Sequence, residues 1–377
     1  MASLLLPVIY LAFIGLGLPD SVLGSVWPVL HNVVGTASSN AGFVSFTISI
    51  CTVVSSLMSD RLTRRFGPGK VTAFSTLLTS FALLCFSRCT RLWHLIVFAV
   101  PYGLGAGSVD SALNNYVAIH YKSRHMSWLH CMWGVGTAIG PVVMGQALAL
   151  STWKTGYVIL SCLQLCIALA VFATLPKWKM SGEEPEKGRP AAIRETVGQN
   201  GVPFMMLLFL CYCALESTCM LWGSTYLLDV TSIDTVTAAR FASMFCLGIT
   251  AGRFASGFLA FKFGDFQMVR LGQAVIMVSA VCLVLFPSLS AIWLLLAGLG
   301  CAPIYPSAMH SIPGLFGTER SQSVIGVVMA SAYVGSSCFP PIAGLLMKRF
   351  GTGVLPYFLL VLLACMVFCA ECCKKSQ

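Results

Sequence analysis

SLMSDRLTRRFG, residues 56–67, is a short polar passage between two long apolar runs. The runs, near 40–59 and 69–88, are each about 20 residues long, enough for a helix to cross a hydrocarbon core of about 30 Å. The same alternation continues along the chain. Further spans are expected near 4–30, 92–118, 126–150 and 155–175, then near 202–228, 240–261, 267–287, 290–312, 321–346 and 353–370. Of the 377 residues 57% are hydrophobic and 10% charged, and the mean hydropathy is +0.84. A soluble protein carries about 25% charged residues. The expectation is an all-α polytopic membrane protein with twelve transmembrane helices.

The formal charge of +10 does not point to nucleic acid, because the basic residues sit in short clusters between apolar runs. With a cytoplasmic N-terminus, the inside loops and tail hold Arg61, Arg64, Arg65, Lys70, Lys122, Arg124, Lys177, Lys179, Lys187, Arg189, Arg194, Lys262, Arg270, Arg320, Lys374 and Lys375. The outside loops hold Arg88, Arg91, Lys154, Arg240, Lys348 and Arg349, and Arg253 alone falls within a span. This bias places both termini in the cytoplasm. The 17 cysteines are mostly scattered through apolar runs without a CxxC pair, so they read as small hydrophobes, and no metal or cofactor is expected. Cys372 and Cys373 beside Lys374 and Lys375 would suit a lipidated tail. The first span lacks a basic flank and a cleavage site and reads as a retained helix.

PKWKMSGEEPEKGRPAAIRETVGQNG, residues 176–201, is the one extended polar stretch and reads as a cytoplasmic linker. It separates residues 1–175 from 202–377, and the two parts repeat with an offset near 196. PDS at Pro19–Ser21 meets LES at Leu215–Ser217, so Asp20 faces Glu216. RRFG at Arg64–Gly67 meets FKFG at Phe261–Gly264. YGLGAG at Tyr102–Gly107 meets AGLGCA at Ala297–Ala302, and VGTAIGPVVMG at Val135–Gly145 meets VGSSCFPPIAG at Val334–Gly344. Two pseudo-symmetric six-helix bundles are a transporter signature, with the solute site near the bilayer midplane.

Asp20, Asp110 and Glu216 are the acids within the spans, and each needs water, a partner or a proton. Desolvation disfavours the charged form of a carboxylate, so such a group can take up and release protons. All three are candidate proton-coupling residues. Asp110 stands first because Gly103, Gly107, Asp110 and Asn114 share a helix face, and Asp20 shares one with Gly17, Gly24 and Trp27. Each acid also has a plainer reading as an interhelical hydrogen-bond partner. Candidate solute-binding residues are Asp20, Trp27, Asn114, His130, Trp133, Thr137, Glu216, Trp222, Tyr305 and His310. Tyr305 and His310 lie close to the helix-breaking Pro303 and Pro306. Aromatic walls beside polar groups suit a sugar, which has an apolar ring face and a fringe of hydroxyls. Arg253 reads as a latch to a carboxylate or a helix end, and Trp93, Trp153 and Trp293 as interfacial anchors.

SLMSDRLTRRFG resembles the signature between the second and third helices of the major facilitator superfamily. Ser56 stands where that pattern has glycine, and Asp60, Arg61, Arg64 and Arg65 match. The resemblance implies that these four act in gating, and Arg253, near the corresponding place in the second half, is grouped with them. LHCMWGVGTAIGPVVMG at Leu129–Gly145, GLGCAPIYPSAMH at Gly298–His310 and ASAYVGSSCFPPIAG at Ala330–Gly344 are similar to the bacterial fucose permease-like branch. That branch implies proton-coupled symport of a sugar or similar solute, with one carboxylate in the first helix and another in the fourth. Asp20 and Asp110 hold those places, the latter with aspartate for glutamate.

The expected setting is a bacterial plasma membrane, with a small solute, protons and lipid as partners and a single chain as the working unit. Proton-driven efflux of cationic or amphipathic compounds is the alternative, favoured by three acids against one base and by the partial likeness of GxxxGPxxxG at Gly136–Gly145 to an antiporter motif. A non-transporting receptor or scaffold is the alternative of another class. An enzyme is not expected, since no HExxH and no pairing of nucleophile with base stands out.

Overall fold

A computed structural model describes residues 5–37, 40–178, 191–231, 233 and 235–375. The central part of the expected linker, 179–190, lies outside them, as do the side chains of Arg240 and Lys375. Every regular element among the described residues is helical. The first unit carries α1 (Leu5–Gly17), α2 (Val22–Val33), α3 (Ala41–Phe66), α4 (Pro68–Phe86), most of α5 (Leu92–His120) and of α6 (Ser123–Leu150), and α7 (Trp153–Thr174). The second carries the short α8 (Ile193–Val197), then α9 (Val202–Thr231), α10 (Thr235–Leu259), α11 (Asp265–Leu285), α12 (Ser290–Phe316), α13 (Thr318–Phe350) and α14 (Leu355–Lys375). Residues 117–131, the turn between α5 and α6 with its flanking helix ends, group with the second unit.

Eleven spans among the described residues are long and apolar enough to cross a membrane, with α1 and α2 forming one broken span. The twelfth expected span corresponds to α10, whose apolar stretch Ser243–Leu259 is shorter. The passage 56–67 is not a loop, as the expected span 40–59 implies. It continues α3 to Phe66, and the reversal into α4 rests on Gly67 alone, at φ 81° and ψ 154°. That region of backbone space is essentially restricted to glycine. Gly317 makes the same one-residue joint between α12 and α13 at φ 87°, and Gly351, at φ 84°, ends α13 before a short 3-10 turn that leads into α14.

Between helices in lipid, packing depends on small residues that let backbones approach. In the first unit a Cβ at Gly103 would stand 2.5 Å from the Ile48 carbonyl oxygen, and one at Gly105 would stand 2.7 Å from that of Ser75. The second unit repeats both arrangements: Gly298 abuts the Phe245 carbonyl and Gly300 that of Gly272. Gly136 against Ile14 is matched by Gly335 against Leu210. The internal repeat therefore encodes equivalent close contacts, α3 on α5 like α10 on α12, and α1 on α6 like α9 on α13. Side chains reinforce them. Within the first unit the Ser111 hydroxyl donates to Ser59 at 2.7 Å, and the Gln164 amide donates to Thr79 at 2.8 Å.

Candidate functional site

Pro19 has no backbone N–H, so the helical ladder opens where the first span reaches it. Leu18 still donates to Ile14 at 2.9 Å. Asp20 and Val22 instead donate three residues back, to Gly17 at 3.2 Å and Pro19 at 3.1 Å. This break between α1 and α2 carries Asp20 out of a regular helix. Its carboxylate receives two donors from other helices. Tyr102 on α5 donates its hydroxyl to Oδ1 at 3.0 Å, and Trp133 on α6 donates its indole N–H to Oδ2 at 2.8 Å. Hydrogen bonds to a charged acceptor are the strong ones, so the acid is oriented by two rigid aromatic groups.

Asp20 and Tyr102 border a cavity of about 560 Å³ within the first unit. Trp27 and His31 on α2 form one wall, with ring centroids 6.4 Å apart. Ser45 and Ser49 on α3 add hydroxyls, and Tyr157 on α7 adds a further aromatic surface. Among the described residues neither Lys nor Arg lines it, and besides the two tyrosines its ionisable groups are Asp20 and His31. The volume lies within the range of small-molecule sites, about 300–1,000 Å³.

Asp110 and Asn114 do not join this cavity. They lie two and three turns further along α5, where the Asn114 amide donates to Asp110 Oδ1 at 2.8 Å and to its backbone oxygen at 2.9 Å. Asn114 is fully buried. Gly103 and Gly107, expected to share a cavity-facing surface with these two, meet the backbone of α3 at Ile48 and Thr52. Thr137 turns its hydroxyl back to the Gly134 carbonyl of its own helix at 2.9 Å. Trp222 donates to the Pro340 carbonyl at 2.7 Å and lies against Gly344, an interhelical contact of α9 with α13.

In the second unit Glu216 and Arg253 form a buried ion pair, Oε1 to Nη2 at 3.1 Å, with Arg253 only 3% exposed. The Tyr212 hydroxyl also accepts from Arg253, at 3.5 Å. Tyr305 sits in an aromatic cluster with Phe209, Tyr212 and His130, the His130 ring lying 4.8 Å away. His310 engages Asp265 and the Tyr121 carbonyl. On α3, Asp60 is buried and pairs with Arg64 at 2.8 Å, while Arg61 and Arg65 are exposed. The ten expected solute contacts are thus divided: Asp20 and Trp27 border the cavity and Trp133 holds its acid, Asn114 and Thr137 lie in the first unit away from it, and His130, Glu216, Trp222, Tyr305 and His310 belong to the second unit. Tyr102, His31, Ser45, Ser49 and Tyr157 escape the sequence reading. Tyr102 stands inside the repeated YGLGAG segment, but nothing local distinguishes it from a packing aromatic.

The profile of the Major Facilitator Superfamily matches residues 9–297. The chain is 22% identical to the yeast protein "Bypass of stop codon protein 6" from Saccharomyces cerevisiae, over 93% of this chain and 78% of that one. It is 19% identical to the "Glucose/mannose transporter GlcP" of Bacillus subtilis, over 87% and 84%. The crystal structure of the E. coli "Fucose:proton symporter, FucP" superposes with a TM-score of 0.80 at 14% identity, covering all of both chains, a likeness that bears on the fold. With the helical repeats and the profile in agreement, the chain belongs to the Major Facilitator Superfamily and is a multi-pass membrane transporter.

Proposed function

We propose that this transporter carries a sugar, or a neutral polar solute of similar size, together with protons. The carrying observation is a single carboxylate, Asp20, held by Trp133 and Tyr102 at the edge of a cavity with aromatic walls and serine hydroxyls. A sugar lays its apolar face on such walls and offers its hydroxyls to Asp20, Ser45, Ser49 and His31. An anionic solute would meet the Asp20 charge with no fixed base beside it. GlcP and FucP, named for glucose, mannose and fucose, accord with this reading. Asp20 is the first candidate for proton coupling, with Asp110 second. The two repeat-related bundles alternate access to the cavity as a single chain in a plasma membrane, with both termini cytoplasmic. Efflux of cations is the second reading, since the cavity's one acid would also attract a positive charge.

The test is uptake into proteoliposomes of labelled hexoses and cationic dyes, with and without an inward proton gradient. Gradient-dependent accumulation of a sugar, lost in Asp20→Asn while exchange persists, supports the proposal. Dye movement opposite to the protons selects the efflux reading. Accumulation by Asp20→Asn equal to wild type refutes the coupling assignment.

A further inference from the structure

Both ring nitrogens of His310 face groups that accept hydrogen bonds. Nδ1 lies 2.7 Å from Oδ2 of Asp265, and Nε2 lies 3.1 Å from the backbone oxygen of Tyr121. A carbonyl oxygen has no proton to give, so Nε2 carries one and donates it. Were the imidazole neutral, Nδ1 would then turn a lone pair toward a carboxylate oxygen, and two acceptors at 2.7 Å repel. One proton therefore sits between Nδ1 and Oδ2, whichever atom holds it. The hydroxyl of Ser123 donates to the other oxygen of Asp265, completing the cluster.

Three separate pieces of the second unit meet here: α12 through His310, the start of α11 through Asp265, and the α5–α6 turn through Tyr121 and Ser123. That turn lies within residues 117–131, which group with the second unit although the chain on either side of them, to Tyr116 and from Met132, belongs to the first. Other contacts hold the same segment. Trp128 donates to the Phe254 carbonyl at 3.3 Å, and the Arg124 guanidinium lies 4.7 Å from the centre of the Phe261 ring. The ionisable groups nearby are His120, Lys122, Arg124 and His125 on the segment, Lys262 just before α11, and Glu319 and Arg320 at the start of α13. Arg124 Nε is directed to His125 at 3.2 Å, and Lys122, Lys262, Glu319 and Arg320 are exposed. Among the described residues, His310 pairs with the carboxylate of Asp265.

We propose that His310 and Asp265 form a proton-binding site, separate from the Asp20 cavity, whose occupancy fastens the α5–α6 turn to the second unit. With the proton bound, the turn is gripped at Tyr121 and Ser123. When it leaves, the one proton left on the ring can serve either Oδ2 of Asp265 or the Tyr121 oxygen but not both, and the grip on the turn loosens. Since the chain on both sides of the turn belongs to the first unit, proton release at this site eases the conformational exchange that transport requires.

The fastened state is favoured at low pH, where the shared proton is held, and is lost as that proton leaves at higher pH. The test is hydrogen–deuterium exchange of the full chain in lipid nanodiscs from pH 5 to 8.5, read on peptides within 117–131 and corrected for intrinsic exchange. Protection in wild type should fall about tenfold across the titration, as for loss of one hydrogen bond to a charged group. His310→Gln should show the unprotected value at every pH, with α9 and α13 protected as in wild type. In spectra of protein labelled with ¹⁵N-histidine, the wild-type minus His310→Gln difference should show a doubly protonated ring, or a short shared proton, that disappears over the same pH range. Protection of 117–131 that is flat with pH in wild type overturns the proposal, and that series needs no variant. Wild-type protection in a folded His310→Gln overturns it equally.

Discussion

Replacing Arg253 by methionine should destabilise the protein far more than replacing Arg253 and Glu216 together. In the single variant Glu216 keeps its charge in a buried setting and loses the guanidinium that lies 3.1 Å from it. Removing one partner of a buried pair costs about 3–5 kcal/mol, because the remaining charge is uncompensated. Replacing both by groups of similar shape is nearly neutral on the same grounds, since the pair's attraction and its desolvation largely cancel. For a unit of this size 1 kcal/mol corresponds to about 2–4 °C in midpoint. Arg253→Met should therefore lower the thermal midpoint by about 6–20 °C, while Glu216→Gln with Arg253→Met should recover most of that loss. The assay is fluorescence-monitored thermal unfolding in detergent, with size-exclusion chromatography of heated samples as the second readout. The uptake assay then separates roles. If the double variant still accumulates solute against its gradient, Glu216 is a structural partner and not a coupling acid. A midpoint unchanged in Arg253→Met, or a double variant no better than the single, would refute the reasoning from buried charge.

Two further substitutions probe the turn and the cavity. Gly67→Ala places a Cβ on a backbone at φ 81° and ψ 154° and should cost about 1–3 kcal/mol, seen as a lower thermal midpoint; an unchanged midpoint would mean that the α3–α4 joint tolerates another conformation. Trp133→Phe keeps a ring beside Asp20 but removes the 2.8 Å donor to its Oδ2. Initial uptake should fall by about tenfold or more, the equivalent of one hydrogen bond to a charged group, with a changed pH profile; wild-type uptake and profile would show that Asp20 needs no such donor.

Much of the architecture was legible along the chain because crossing a bilayer imposes a strong local constraint. Each span must be apolar over about 20 residues and must satisfy its own backbone, and those requirements are met one segment at a time. The repeat was legible too, and the structure explains why: YGLGAG and AGLGCA set the same close contacts of α5 on α3 and of α12 on α10. The helical extension of α3 through Arg64 and Arg65 was not, since charged residues at a helix end look like a loop when polarity is the only guide.

The site divides in the same way. Asp20, Trp27 and Trp133, singled out along the chain, lie at or beside the cavity; a carboxylate in an apolar span is conspicuous in a sequence because it needs water, a partner or a proton. Helical spacing could not say which neighbour each face would meet. Gly103 and Gly107 meet α3, and Glu216 meets Arg253, 37 residues away along the chain. His310 offered no sign of its partners: Asp265 lies 45 residues away and Tyr121 lies 189. Sequence alone therefore determined the apolar spans and the internal repeat, and it marked which acids lie within the spans. The pairing of those acids, which leaves Asp20 at a cavity and closes Glu216 onto a guanidinium, was decided by tertiary packing, because a buried charge is settled by whichever side chain three-dimensional contact brings to it.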